Sequence, residues 1–230
     1  MDDRTRLTVI FDLDGTLVDT AEDVGALVNP VLAELGRPAL TKAQVIACFG
    51  LGAAKLVERA LALTGGPLPP EPLEAITRRF VAAYAVAQPV YSHAYPGVTE
   101  ALTACRHAGW RLGVCTNKPL AATNVLLQHL DLARWFDGVS GGDSVADRKP
   151  HPDHLRDAVR RAGGSMTRAI MVGDSETDAA AAVSAGMPLI LIEGGYNHAP
   201  VTLLGADRIL SGFSELLPAI VALDPARGVG

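Results

Sequence analysis

Leu7-Thr8-Val9-Ile10-Phe11-Asp12-Leu13-Asp14-Gly15-Thr16 is the stretch whose reading decides the fold. Five residues rich in β-branched and aromatic side chains give way abruptly to two carboxylates and a glycine, the composition of a buried strand ending in a tight turn. Asp12 and Asp14 stand two residues apart at the strand's carboxyl end, so both can face one crevice, and Gly15 permits the turn that follows. Asp and Gly are also ordinary turn residues, and the stretch alone leaves that plainer account open.

Working outward, the same punctuation recurs. Short apolar runs occupy residues 111–115, 169–172 and 188–192, with weaker ones at 138–140 and 208–210. Helical patterns alternate with them: 96–108, opened by Pro96 and stopped at Gly109; 120–130; 153–162, ending at Gly163; and 176–185, ending at Gly186. Such alternation predicts strand-helix-strand units and a parallel sheet. One block breaks the rule. Residues 21–35, a segment opened by Thr41 with Gln44 completing a capping box, residues 53–63 and residues 71–87 all pattern as helices. Pro30 is expected to kink or split the first of these, because it removes a backbone donor and crowds the preceding turn. The fold expected is therefore α/β, a doubly wound parallel sheet with a Rossmann-like core and an inserted helical cap domain. Residues 1–19 and 90–230 form the core in this reading, and residues 20–89 the cap.

At 230 residues the chain buries roughly 70–75% of its unfolded surface by size scaling, enough for one sizeable domain with a smaller partner. A net charge of -5 without a basic stripe speaks against nucleic acid and against an anionic membrane, so an anionic substrate needs a locally positive pocket. Cys48, Cys105 and Cys115 are too few and too scattered for a disulfide framework or thiolate metal site and are expected as buried thiols. The polar start from Met1 to Arg6, with no apolar stretch approaching ~18 residues, leads us to expect a cytoplasmic protein, monomer or homodimer.

Chemistry-bearing residues gather where the apolar runs end, which in open parallel sheets is where ligands bind. After Asp12 and Asp14 come Thr116-Asn117, a hydroxyl and a main-chain donor suited to an anionic oxygen. Lys149-Pro150 offers a cation able to neutralise phosphate, although a lone lysine is more often solvated. Gly173-Asp174-Ser175-Glu176-Thr177-Asp178 places carboxylates one helical turn apart, with N-capping by Asp174 or Ser175 as the plainer account. His151 and His154 have helical spacing but no third ligand nearby, which favours solvated or capping roles over zinc. Gly50-Leu51-Gly52 followed by Lys55 has neither the glycine spacing nor the strand context of a nucleotide loop, and is a candidate substrate-facing cap loop. Trp110 and Trp135 are expected to pack.

In type, order and strand-end position these four clusters resemble the signature motifs of the haloacid dehalogenase superfamily, over about residues 7–213. Leu17-Val18-Asp19-Thr20, Tyr95-Pro96-Gly97-Val98, Thr116-Asn117-Lys118-Pro119 and Gly194-Gly195-Tyr196-Asn197 look like its phosphoglycolate phosphatases. The resemblance implies a Mg2+-dependent phosphatase acting on a small phosphorylated metabolite. It casts Asp12 as nucleophile, Asp14 as general acid and base, Thr116 and the Asn117 backbone as phosphate grip, and Lys149 as neutralising cation. Asp12, the Asp14 carbonyl and Asp174 are implied as metal ligands, with Asp178 in support. Gly52 and Lys55, or Arg59, are the candidates for contacting the rest of the substrate. A sugar phosphomutase of the same superfamily would share these residues, and a non-catalytic phosphate or nucleotide binding protein is the alternative of another class. Dehalogenation would leave Asp14 and the metal carboxylates without a task.

Overall fold

The structure is a computed structural model that describes residues 6–224. The outermost residues of the expected core, 1–5 and 225–230, and with them most of the polar N-terminal stretch, lie outside the described residues.

In chain order the strands are β1 (Thr8–Phe11), β2 (Val18–Asp19), β3 (His93–Ala94), β4 (Arg111–Cys115), β5 (Gly138–Ser140), β6 (Ala169–Gly173), β7 (Leu189–Ile192) and β8 (Arg208–Leu210). The helices are α1 (Ala21–Glu34), α2 (Lys42–Ile46), α3 (Ala53–Leu63), α4 (Pro70–Val86), α5 (Val98–His107), α6 (Leu120–His129), α7 (Pro152–Arg161), α8 (Glu176–Ala185) and α9 (Leu216–Leu223). Six strands form one sheet in the order β5-β4-β1-β6-β7-β8, every neighbouring pair parallel. The two weak runs are thus its edges, where short strands suffice.

Alternation along β1 explains the layers. Val9 and Phe11 enter a cluster with Leu102 of α5, Leu126 of α6 and Ile220 of α9. Ile10 points the other way, to Leu155 and Val159 of α7 and Ala182 of α8. Both faces are covered, as an all-parallel sheet requires. Helices α1 to α4 gather a third core around Val28, Leu32, Leu56, Ala60, Phe80 and Tyr84, to which Ala122 and Tyr196 from the sheet layer also contribute. The capping box at Thr41 and Gln44 is present, and Gly186 ends α8 in the left-handed conformation at φ 64°.

Pro30 does not split α1, which runs from Ala21 to Glu34. Its ring faces solvent, while Val24 and Val28 before it and Val31 and Leu32 after it are buried on the same core, so packing outweighs the lost backbone bond. Helix α9 and the small ribbon of β2 and β3 were not foreseen. Among the described residues no helix is long and apolar enough to cross a membrane.

The antiparallel ribbon of β2 and β3 joins the helical segment to the sheet layer where the chain leaves and returns. Asp23, in the first turn of α1, ties down the returning strand. Its carboxylate accepts from the backbone N–H groups of Val90 at 3.0 Å, Tyr91 at 3.1 Å and Ser92 at 2.8 Å, and from the Ser92 hydroxyl at 2.5 Å. Partial burial opposes its charge, but the bonds from Ser92, Val90 and Tyr91 outweigh it and hold the carboxyl below its ordinary value of 3.8. This contribution to stability is present above the ordinary carboxyl value and is lost as pH falls through the lower folded one. Asp23→Ala is expected to cost about 1 kcal/mol, discounted for solvent screening, measured as a lower urea midpoint at pH 7 with a smaller difference from wild type near pH 3.

Candidate active site

Strand order dictates where the site forms. From β1 the chain leads outward to β4 and β5 on one side and to β6, β7 and β8 on the other, so the loops after β1, β4 and β6 diverge around a crevice. A cavity of about 450 Å³ lies there. Asp12, Asp14, Thr116, Asn117, Lys149 and Asp174 wall it from the sheet side. Gly50, Gly52, Arg59 and Tyr84 wall it from the helical segment.

At its base one oxygen from each of Asp12, Asp174 and Asp178 lies within 4.8 Å of the others, all three residues buried. Lys149, 2% exposed, answers this charge. Its Nζ is 3.0 Å from Asp12 Oδ1, donates to Asp178 Oδ1 at 2.7 Å and donates to the Cys115 carbonyl at 2.7 Å. Burial disfavours a charged lysine, yet Asp12 and Asp178 outweigh it and raise the ammonium's pKa above the ordinary lysine value. One cation does not balance three carboxylates. Burial and then the Asp178 charge push the Asp12 carboxyl up to about 7 against the pull of Lys149, and burial with Asp178 and Asp12 lifts Asp174 well above the carboxylate range. Asp12 Oδ1 makes no directed hydrogen bond despite its burial. A buried all-oxygen set with excess negative charge fits a hard divalent cation.

The local folding that places these groups starts at α8. Ser175 is its N-cap, accepting from the Asp178 N–H and donating its hydroxyl to Asp178 Oδ2 at 2.7 Å. The plainer N-cap account of this segment therefore holds for Ser175, while Asp174 stays free of it. Asp174 instead accepts from the Thr16 hydroxyl at 2.5 Å and the Tyr196 N–H at 2.6 Å. Gly15 makes this approach possible. At φ 90°, a Cβ there would stand 2.5 Å from Asp174 Oδ2 and 2.8 Å from the Tyr196 ring.

Asp14 belongs to a separate network. Its Oδ1 accepts from the Thr20 hydroxyl at 2.7 Å and from Lys118 Nζ at 2.9 Å, and Lys118 also donates to the Tyr84 hydroxyl of α4. Lys118 is 6% exposed. Burial opposes its charge, but Asp14 and Tyr84 raise its pKa above the ordinary lysine value. Asn117 spans the two layers, its amide donating to the Gly50 carbonyl at 2.7 Å and to the Lys149 carbonyl at 2.8 Å. Thr116 is buried at the cavity wall, and its hydroxyl accepts from the Lys118 N–H at 3.2 Å.

Other expected positions fall variously. Gly52 caps α3 and approaches closely enough that a Cβ would lie 3.1 Å from the Asn117 carbonyl. Lys55 is not brought to this cavity: it is exposed, paired with Glu58, and walls a separate surface hollow with Arg148 and Pro150. Arg59 does reach the cavity wall, donating to the Phe49 carbonyl at 2.6 Å. His151 caps α7, as a capping role predicts. His154 is buried rather than solvated, accepting from the Lys149 N–H, with burial and Lys149 holding its pKa down at about 4. All three cysteines are buried, and both tryptophans pack against the core. Lys118, Tyr84, Thr16 and Tyr196 were missed as site residues. Only their place in the motif-like segments, for Thr16, Lys118 and Tyr196, offered a signal.

The chain matches the model of the haloacid dehalogenase-like hydrolases over residues 9–192. It is 40% identical over 216 residues to the phosphoglycolate phosphatase of Caulobacter vibrioides, covering 94% of this chain and 91% of that one. Among solved structures, a predicted phosphoglycolate phosphatase from Haemophilus somnus superposes with a TM-score of 0.85 at 30% identity, covering 93% of this chain and 97% of that one. CbbY from Rhodobacter sphaeroides, solved in complex with phosphate, gives a TM-score of 0.74 at 30% identity, with coverage of 94% and 100%. The class is that of a doubly wound hydrolase. The chain belongs to the haloacid dehalogenase-like hydrolase family, and it is a phosphatase.

Because Gly15 leaves no room for a methyl group beside Asp174, Gly15→Ala is expected to cost about 1–3 kcal/mol of stability through clash and backbone strain. Turnover of an aryl phosphate should fall more than about tenfold, since the displaced carboxylate is part of the site. Unfolding curves and turnover within twofold of wild type would show that the close approach is not needed.

Proposed function

We propose that the protein hydrolyses a small phosphorylated carboxylic acid, 2-phosphoglycolate first, through a magnesium-dependent phosphoryl-aspartate route. The observation that carries this reading is the arrangement around Asp12: a buried carboxylate with one oxygen lacking a directed hydrogen bond, beside Lys149, with Asp14 two residues on in its own network. The relatives that cover over nine tenths of this chain and are named phosphoglycolate phosphatases support the choice of substrate.

An Asp12 carboxylate oxygen attacks phosphorus as the ester bond to the leaving oxygen breaks, and Asp14 gives that oxygen its proton. Asp14 then takes a proton from water, whose oxygen attacks the phosphorus of phosphoryl-Asp12. The acyl phosphate bond breaks, releasing inorganic phosphate and restoring Asp12. Thr116 and the Asn117 backbone hold the phosphoryl oxygens, and Lys149 offsets charge between them and Asp12. Asp12, Asp174 and the Asp14 carbonyl would hold Mg2+. Bound there, it shields the anionic phosphate from the anionic nucleophile. Asp178, with both oxygens engaged by Lys149 and by Ser175, supports the set from behind.

Residues 20–89 act in this reading as a cap over the core formed by 1–19 and 90–230. The two-residue ribbon and a separate apolar cluster support that division. A cap that closes excludes bulk water and brings further groups to the leaving portion.

Asp12→Asn is expected to lower kcat at least about 10³-fold with an unchanged circular dichroism spectrum, since the amide lacks the charge to attack. Wild type stripped of metal should be inactive and regain its rate on adding Mg2+. Full activity in chelator, or near-normal turnover by pure Asp12→Asn protein, would refute the route. Across a panel, kcat/KM for 2-phosphoglycolate should exceed that for hexose phosphates and nucleoside monophosphates by at least about tenfold, because hydroxyls closed into a site built for an acid lose their partners. A hexose phosphate or nucleotide in front would sink the substrate while leaving the phosphatase intact.

A further inference from the structure

The cations that wall the cavity differ in how much of their hydrogen-bonding capacity is committed. Lys149 is spent on Cys115, Asp178 and Asp12. Arg59 gives one of its five N–H groups to the Phe49 carbonyl and, unlike Lys118, makes no hydrogen bond to Asp14. Lys118 gives one N–H to Asp14 and one to Tyr84, and an ammonium has three, so one remains on a residue that lines the cavity.

We infer that Lys118 is the specificity residue of this site, recognising a carboxylate on the leaving portion of the substrate. This deepens the proposed phosphatase reading and rests on it. Reach is the first argument. In a phosphorylated two-carbon acid the carboxylate carbon is two bonds from the ester oxygen that Asp14 protonates, and Lys118 Nζ is 2.9 Å from Asp14 Oδ1. A group hydrogen-bonded to the acid is therefore within reach of a carboxylate so close to the ester, and out of step with one at the end of a long chain.

The loop itself is the second argument. Lys118 follows Thr116 and Asn117 directly, so one turn after β4 would hold phosphate at one end and carboxylate at the other. That turn is fixed by the Gly142 N–H donating to the Lys118 carbonyl at 2.8 Å and by the Lys118 N–H donating to Thr116 Oγ1 at 3.2 Å. Surroundings are the third. Phe49, Leu56, Tyr84 and Tyr196 contribute apolar wall to the same cavity, and the Tyr84 ring centroid lies 4.6 Å from Lys118 Nζ. Such walls strengthen a charge pair and strand the hydroxyls of a sugar.

The experiment compares 2-phosphoglycolate with 2-hydroxyethyl phosphate, which keeps the ester and the length but replaces the carboxylate by a neutral carbinol. Wild type should prefer the acid, and in Lys118→Met the ratio of the two kcat/KM values should fall about 10- to 100-fold, the worth of a charge-assisted hydrogen bond. Lys118→Arg should keep part of the preference. The loss should appear mainly in KM for the acid. An equal fall for both esters would make Lys118 a strut for Asp14 and overturn the inference, as would a wild type without preference, a comparison that needs no variant to fold. Wild type that turns over aryl phosphate without favouring the acid sinks the inference alone, whereas no turnover of any ester with Mg2+ sinks the phosphatase reading with it.

Discussion

The Lys149 ammonium between Asp12 and Asp178 is the contact on which the rest of this site depends. Three buried carboxylates in one place are tolerable only against buried positive charge, and replacing Lys149 with a neutral residue would leave an unpaired cluster of the kind that costs about 3–5 kcal/mol in other proteins. The fold supplies the geometry for this at the end of a parallel sheet, where β1 and β6 run side by side and release Asp12 and, one residue further along, Asp174. Capping of α8 then turns Asp178 back toward Lys149, so an ordinary helix start and an electrostatic site are one structure.

Tyr196 shows how the helical segment is tied to that charge. Its backbone N–H donates to Asp174, its hydroxyl accepts from the Thr20 and Ala21 N–H groups and donates to Asp19, and its ring lies 4.7 Å from Phe49. One residue thus touches the carboxylate cluster, the point where the chain leaves the sheet layer, and the wall of the cavity. Asp23 performs the matching task where the chain returns. The ribbon between them is two residues per strand, too short to fix an angle by its own ladder. Side chains have to do so.

How much of this was legible follows from how each signal is written in a chain. The strands and the groups after them are local: Asp12, Thr116 and Asp174 each end an apolar run, and parallel strands bring run-ends together whatever lies between. Lys149 has no such run immediately before it, and its place was readable only through likeness to a known motif. Tyr84 and Lys118 meet across 34 residues and three intervening elements, and neither segment's periodicity announces the pairing. Lys55 illustrates the converse. A cation beside a glycine-rich loop is an apt candidate for a substrate contact, but an i,i+3 partner, Glu58, draws it to the outer surface, while Arg59 four residues on is long enough to reach the cavity wall. Helix α9 escaped notice because Pro218 sits in its apolar run, where a first-turn proline and a helix breaker look alike.

These placements divide the work between the two layers. In the proposed reading, the groups that handle the phosphoryl unit stand on strand ends whose positions are set by the sheet ladder. On the facing wall, Tyr84 of α4, Arg59 of α3 and Phe49 of the loop after α2 belong to a helical layer with its own core. A layer with a separate core can change its side chains without disturbing the ladder, so substrate choice is free to vary while the chemistry stays fixed. Asn117 keeps the two in register, its amide held between the Gly50 carbonyl of one layer and the Lys149 carbonyl of the other. Lys118 is the exception that joins them chemically: carried by the sheet layer, it is bonded at once to Asp14 and to Tyr84 of α4, so that under the proposed mechanism the acid and the wall beside the leaving group would answer to the same ammonium.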